Sequence, residues 1–140
     1  MEFQKIKLHR SEKNRAAVTQ ITLDDDYNVP DYRQDIVKVI KERGELRFDE
    51  VKAMEGAAWI KGSLVFKVLY RSDKQEGKIS CLRGEIPFQE RLNMDGLSEY
   101  DAVHATGDME DLTIGVINSR KLNVRAVIVL TASSEKEVDE

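Results

Sequence analysis

The sequence predicts a mostly β domain, either an antiparallel β-sandwich or an open barrel, with one short helix. Apolar residues alternate with a period of two in about seven short segments, and turn-forming residues separate these segments at hairpin-like spacing. Only one segment has helical spacing, whereas a βαβ fold needs several helices. The 140 residues, 41% of them hydrophobic, suit one domain with one core.

Two strands are predicted before the first proline. In Phe3–His9, apolar residues lie two apart, and Ala16–Leu23 is rich in residues that favour strands. Asp24–Asp26 and the residues up to Pro30 have the composition of a loop.

The single predicted helix spans Asp31–Gly44. Ile36, Val37 and Ile40 would share one helical face. Acidic residues at its start and basic residues at its end suit the helix dipole, and Gly44 suits a left-handed helix stop.

After Gly44 the apolar period changes to two, which predicts a strand as far as about Met54 and a hairpin turn at Glu55-Gly56. Trp59–Arg71 is the next strand, and Gly62 within it predicts a bulge or a close backbone approach. One face of this strand is apolar and contains Ile60, Leu64, Phe66, Val68 and Tyr70.

Two further strands are predicted downstream of a loop over Ser72–Lys78. Ile79–Phe88 is expected to be irregular at Gly84 and to end near Pro87, and Asp101–Met109 follows a turn at Asn93–Gly96.

The strongest β segment is Leu112–Ala132, which is expected to bend or divide at Asn118–Arg120. The domain is predicted to span residues 1–132, and the acidic stretch 133–140 to be a tail or linker. The positions predicted to face the core are Leu122, Val124, Ala126, Ile128 and Leu130.

Composition narrows the classes of function. No apolar run approaches the roughly 20 residues of a membrane-spanning helix, and the polar start favours a cytosolic protein over a secreted one. A net charge of −4 disfavours nucleic acid as a partner. Cys81 is the single cysteine and is expected to be a small buried strand residue.

Motifs for catalysis and metal binding are missing from the sequence. His9 and His104 are isolated, and the latter is expected at the surface. Asp24–Asp26 lacks the spacing of a calcium loop. We therefore expect no enzyme activity, metal or cofactor. A hydrolase is the third-ranked alternative, in which two of Asp108, Glu110 and Asp111 would form a carboxylate pair.

Two sets of residues are candidates for binding. Trp59 and tyrosines 32, 70 and 100 could form a platform for a sugar or a peptide, although strand aromatics are more often packing residues. Arg120, Lys121 and Arg125 form the densest basic cluster, and they are either a solvated strand face or a surface for an acidic partner.

Several ordered stretches resemble the SPOCS domain family, a module of SipL-like spore-coat assembly proteins in spore-forming Firmicutes. The resemblance spans about residues 29–132. The stretches are Val29–Tyr32 with Asp35-Ile36, Gly62 with Val68–Tyr70, Ile86–Phe88 running to Asn93-Met94, Glu110–Leu112 and Ile117–Ala126. One departure is Gln34, where the family usually has a proline.

The resemblance implies a non-enzymatic scaffold that helps to assemble or anchor the spore coat, in the mother-cell cytoplasm at the forespore surface. The implied partners are coat morphogenetic proteins, including a SpoIVA-type ATPase. The alternative function is that of a carbohydrate-binding module for peptidoglycan or spore polysaccharide, and self-association is a further expectation. In the family the ATPase contact is made mainly by a LysM module, and the sequence given contains no LysM-like segment.

Overall fold

The computed structural model describes residues 14–72 and 78–135, and every regular element in these ranges is a β-strand. The strands are β1 (Asn14–Asn28), β2 (Ile36–Met54), β3 (Ala57–Ser72), β4 (Ile79–Asn93), β5 (His104–Asn118) and β6 (Lys121–Glu135). They form two antiparallel sheets, with strand orders β1-β6-β5 and β2-β3-β4. The predicted mostly β fold is confirmed, as two three-stranded sheets that do not close into a barrel.

The central strand of each sheet supplies most of the core. The five predicted inward positions of β6 are all fully buried, which confirms the predicted alternation. The apolar face of β3 is also fully buried and belongs to the same cluster. The aromatic ring of Tyr27 meets that of Phe66 edge-on at 5.2 Å, which ties β1 to the opposite sheet.

Both predicted turns around glycine are confirmed. Gly56, in the β2–β3 turn, and Gly96, after β4, have positive φ angles of 75° and 84°, which glycine adopts without a steric penalty. The predicted bend at residues 118–120 is the turn between β5 and β6, where the Arg120 N–H donates to Asn118 Oδ1 at 2.8 Å.

The predicted helix over Asp31–Gly44 is wrong, because β2 begins at Ile36 and continues through Gly44. The Ile36 N–H donates to the Ser119 carbonyl at 2.9 Å. Register shifts at Ile36/Lys38 and Val39/Lys41 insert Val37 and Ile40 as extra, exposed residues. These bulges disturb the period-two pattern, while the β-branched side chains favour a strand.

Two predicted loop or end positions also lie inside strands. Asp24–Asp26 continues β1 because it pairs with the β6 segment Asn123–Arg125. β4 runs through Pro87 to Asn93, because an edge strand tolerates a proline. Its pairing with β3 has no register shift at Gly84.

Some predictions fall outside the described residues. These are the strand over Phe3–His9, residues 73–77 of the β3–β4 loop, and residues 136–140 of the predicted tail. Residues 133–135 are the end of β6, and the domain boundary near residue 132 stays a prediction. Within the described ranges, the chain contains no helix with the length and apolar character needed to cross a membrane.

Candidate interaction faces

The Arg120 side chain holds the segment that connects β1 to β2. Its Nη1 atom donates to the Arg33 carbonyl at 2.7 Å and to Asp35 Oδ1 at 3.0 Å. Its Nη2 atom donates to the Pro30 carbonyl at 2.8 Å and to the Val29 carbonyl at 3.3 Å. Four acceptors within one chain give this guanidinium a structural role, although 37% of the side chain is exposed.

The other two residues of the predicted basic cluster lie on a different surface. Lys121 and Arg125 are on the outer face of the β1-β6-β5 sheet. In the strand register, Arg125 lies opposite Asp24 on β1. Between them, Asn123 Nδ2 donates to Asp24 Oδ1 at 2.9 Å and to Asp26 Oδ1 at 3.0 Å. The structure therefore separates Arg120 from Lys121 and Arg125, and surrounds the latter pair with carboxylates.

A larger cationic surface covers the outer side of the β2-β3-β4 sheet, and we name it the basic face. Strand register places exposed lysines and arginines from all three strands on this side, opposite the buried core positions. The ten cations are Lys38, Lys41, Arg43, Arg47 and Lys52 on β2, Lys61, Lys67 and Arg71 on β3, and Arg83 and Arg91 on β4.

Five carboxylates accompany these cations among the described residues. Register places Glu45, Glu50 and Glu85 on the face, Asp49 bonds to Arg47, and Glu42 lines a groove beside Lys41. A chain with a net charge of −4 thus concentrates a two-to-one excess of positive charge on one side of one sheet.

An ion-pair network occupies the middle of the basic face. Arg47 contacts Asp49 at 2.9 Å and Glu85 at 2.9 Å, and Glu85 also lies 3.5 Å from Arg83. Hydrogen bonding to Asp49, and then to Glu85, raises the pKa of Arg47 above its ordinary value. Three cations near this network, Lys41, Arg43 and Lys67, form no ion pair with any described residue.

Those three cations line a shallow groove of about 270 Å³. Leu69, 40% exposed, and Cys81 add apolar surface to it, and Glu42 is its acidic residue. A second cavity of about 80 Å³ shares Arg43 and Lys67 with it. An open groove with cations and apolar surface suits acidic side chains of a partner better than it suits a small neutral substrate.

Sequence reasoning missed the basic face because its cations are single residues at alternating positions of three strands, spread over residues 38–91. Cys81 was expected to be buried, but it is exposed, since its position in β4 points to the outer side. Assigning β2 as a strand and then sorting charges by face would have revealed the surface.

The aromatic residues do not form one platform. Tyr70 is buried and donates from its hydroxyl to the Gln34 carbonyl at 3.3 Å, whereas Trp59 is half-buried on the basic face. Tyr32 and Tyr100 are 81% and 88% exposed but belong to connections at opposite ends of the sandwich.

The other candidate groups are dispersed. His104 is exposed at the start of β5, as predicted, and His9 is outside the described residues. Asp108 and Asp111 lie on an outer face, and Glu110 Oε1 accepts a 3.0 Å hydrogen bond from Gln20. Across residues 14–72 and 78–135, no cluster of three His, Cys, Asp or Glu side chains has the geometry of a metal site.

Comparison with known proteins identifies the family to which the strands belong. A family described as SipL, SPOCS domain matches residues 35–117 of this chain. The match runs from the residue before β2 to Ile117, near the end of β5, and includes all three strands of the basic face. No curated protein and no solved structure matches the chain.

Proposed function

This chain belongs to the SipL SPOCS-domain family, and we propose that it is a non-enzymatic interaction module that helps to assemble or anchor the spore coat around the forespore. SPOCS domains are not a known enzyme family, and the match supports a sporulation-related interaction role. The basic face carries the proposal, because it presents cations that pair with no described residue beside exposed apolar surface.

The proposed partners are acidic surfaces of coat morphogenetic proteins in the mother-cell cytoplasm, including a SpoIVA-type ATPase. A flat, charged sheet face suits a protein surface, since electrostatic complementarity sets specificity and the rate of association. Lys121 and Arg125 are a second proposed contact, on the opposite sheet.

Paired charge reversals test which sheet binds. The first variant carries Lys41→Glu and Lys67→Glu on the basic face, and the second carries Lys121→Glu and Arg125→Glu on β6. Binding of purified coat proteins would be measured by surface plasmon resonance, and coat localisation by fluorescence microscopy of a tagged chain during sporulation. We expect the first variant to lose about tenfold or more in affinity and to mislocalise.

Each alternative outcome has a defined meaning. Selective loss in the β6 variant would move the contact to Lys121 and Arg125. If both variants fold, bind and localise like the unmodified chain, the proposed interaction surfaces are wrong. Normal coat assembly after deletion of the domain would refute the role itself.

Carbohydrate binding remains the alternative function. The fluorescence of Trp59 can report carbohydrate binding, because its half-buried ring lies on the basic face. A saturable change in Trp fluorescence with peptidoglycan fragments, together with calorimetric binding of the same fragments that Trp59→Ala weakens, would favour this alternative over protein binding.

A further inference from the structure

We propose that the basic face binds the outer face of the β1-β6-β5 sheet of a second copy of this chain. This inference rests on the proposed interaction role of the basic face, and it names the partner. It follows from a second charged surface of opposite sign on the same domain.

That second surface, which we name the acidic face, has carboxylates along both flanking strands. Asp24 and Asp26 lie on β1, and Asp108 and Asp111 occupy outer positions of β5. Glu110 belongs to the same surface, because it bonds to the outward-facing Gln20 across β6.

The acidic face has few compensating charges. Among the described residues it carries these five carboxylates against two cations, Lys121 and Arg125. The basic face has ten cations against five carboxylates. The two faces are therefore electrostatically complementary, while each would repel its own kind.

Apolar groups accompany the charges on both faces. Leu69 and Ile79 are exposed on the basic face, and Val18 is 65% exposed on the acidic face. Strands of 15 residues extend about 50 Å, and three adjacent strands span roughly 10–15 Å. Each face then offers about 500–750 Å², which suits a weak, salt-sensitive contact.

The two faces point in opposite directions because they are the outer sides of two sheets that share one core. A contact between them is heterologous, so a pair of copies leaves one basic face and one acidic face free. Copies would stack in a line. This geometry suits a module that extends a layer, and it differs from a closed two-fold dimer.

Charge reversal on each face tests the contact in the full chain. One variant carries Lys41→Glu and Lys67→Glu, and the other carries Asp108→Lys and Asp111→Lys. The control, Asp95→Lys with Glu99→Lys, makes the same change in charge as the Asp108/Asp111 variant, but in the exposed β4–β5 connection, off both faces. Sedimentation velocity over a concentration series would measure association, and circular dichroism would check folding.

We expect the unmodified chain and the control to associate at low ionic strength. They should become monomers at about 0.5 M salt, where charge interactions are screened beyond a few ångströms. Each face variant should associate at least about tenfold more weakly. An equimolar mixture of the two should recover association, because the native acidic face of one meets the native basic face of the other.

Three outcomes would overturn the self-association. They are a folded chain that stays monomeric at low salt, association unaffected by both variants, and no recovery in the mixture. Association that requires added oligonucleotide would assign the basic face to another polyanion. Coat-protein binding that is lost in the Lys41/Lys67 variant, with no self-association, would leave the proposed function standing and this inference refuted.

Discussion

At the scale of single residues, Arg120 shows how a family-like stretch stabilises the fold. Its guanidinium donates to three carbonyls of the β1–β2 connection and to Asp35, at 2.7–3.3 Å. The backbone adds a bond in the same place, from the Val29 N–H to the Arg120 carbonyl at 2.9 Å. The turn between β5 and β6 and the start of β2 are thereby joined.

Arg120→Ala is expected to lower the free energy of unfolding by about 1–2 kcal/mol, because several charge-assisted hydrogen bonds are lost from a partly exposed site. Urea denaturation would measure it. Arg125→Ala is the control, since that exposed side chain has no hydrogen bond to a described residue and should change stability by about 0.5 kcal/mol or less. Equal effects of the two substitutions would contradict the role of Arg120.

Gln34 explains one departure from the family pattern. Its Oε1 atom accepts a 2.7 Å bond from the hydroxyl of Ser72, which is fully buried, and a weaker one from Ser80 at 3.4 Å. Gln34→Pro would leave the Ser72 hydroxyl without its acceptor and should cost about 1 kcal/mol, after the smaller entropy of the unfolded chain is allowed for.

A double-mutant cycle separates this effect from backbone strain. In a Ser72→Ala background, the cost of Gln34→Pro should nearly vanish, because no buried hydroxyl remains to be satisfied. An undiminished cost in thermal unfolding would show that proline disturbs the backbone instead.

At the scale of elements, the sequence predicted strands wherever apolar residues alternate without interruption. The inward positions of β6 and the apolar face of β3 were both correct, because period-two alternation specifies which face is buried. The start of β2 was not predictable in this way. Its two bulges put Val37 and Ile40 outside the alternation and imitate helical spacing. The basic face was therefore not predicted either, because five of its cations lie on β2.

Gly62 shows a constraint between strands that the sequence did predict. A Cβ atom here would collide with the carbonyl oxygen of Arg47 and approach the ring of Phe88 to 3.0 Å. The adjacent register shift at Phe48/Glu50 marks a bulge in β2 opposite this position. Gly62 therefore allows β2 to lie close to β3.

Gly62→Ala should destabilise the domain by about 2 kcal/mol or more, because β2 must move to accept the methyl group. Gly115→Ala in β5 is the matched control, since an added Cβ there meets no atom within 4 Å. It should be neutral or slightly stabilising. Chemical denaturation of both variants checks the difference, and similar losses would argue against the close approach at Gly62.

At the scale of the whole molecule, the outer faces of the two sheets carry opposite charges, and the net charge of the chain does not show this difference. A net charge of −4 correctly describes a mildly acidic chain, yet one outer face is basic and the other acidic. Composition sums over both faces, so it could not reveal this difference. Once strand register is known, alternating residues assign each charge to a side, and the two sides become complementary surfaces of one module.

The family match ends before β6, but the fold depends on that strand. β6 is the central strand of its sheet, and both β1 and β5 hydrogen-bond to it. A fragment of residues 35–117 would lose the five buried side chains of β6 that face the core, and β5 would lose its partner strand. Each large apolar side chain contributes about 1.5–3 kcal/mol when buried. Their combined loss is comparable to the typical 5–15 kcal/mol stability of a domain.

We therefore expect residues 35–117 to be unfolded in isolation, whereas residues 14–135 should fold. Circular dichroism and amide NMR dispersion would compare the two fragments. A cooperative thermal transition in the shorter fragment would refute the prediction. The physical reason is topological, since the three hairpin-linked strands of the β2-β3-β4 sheet cannot replace the central strand of the other sheet.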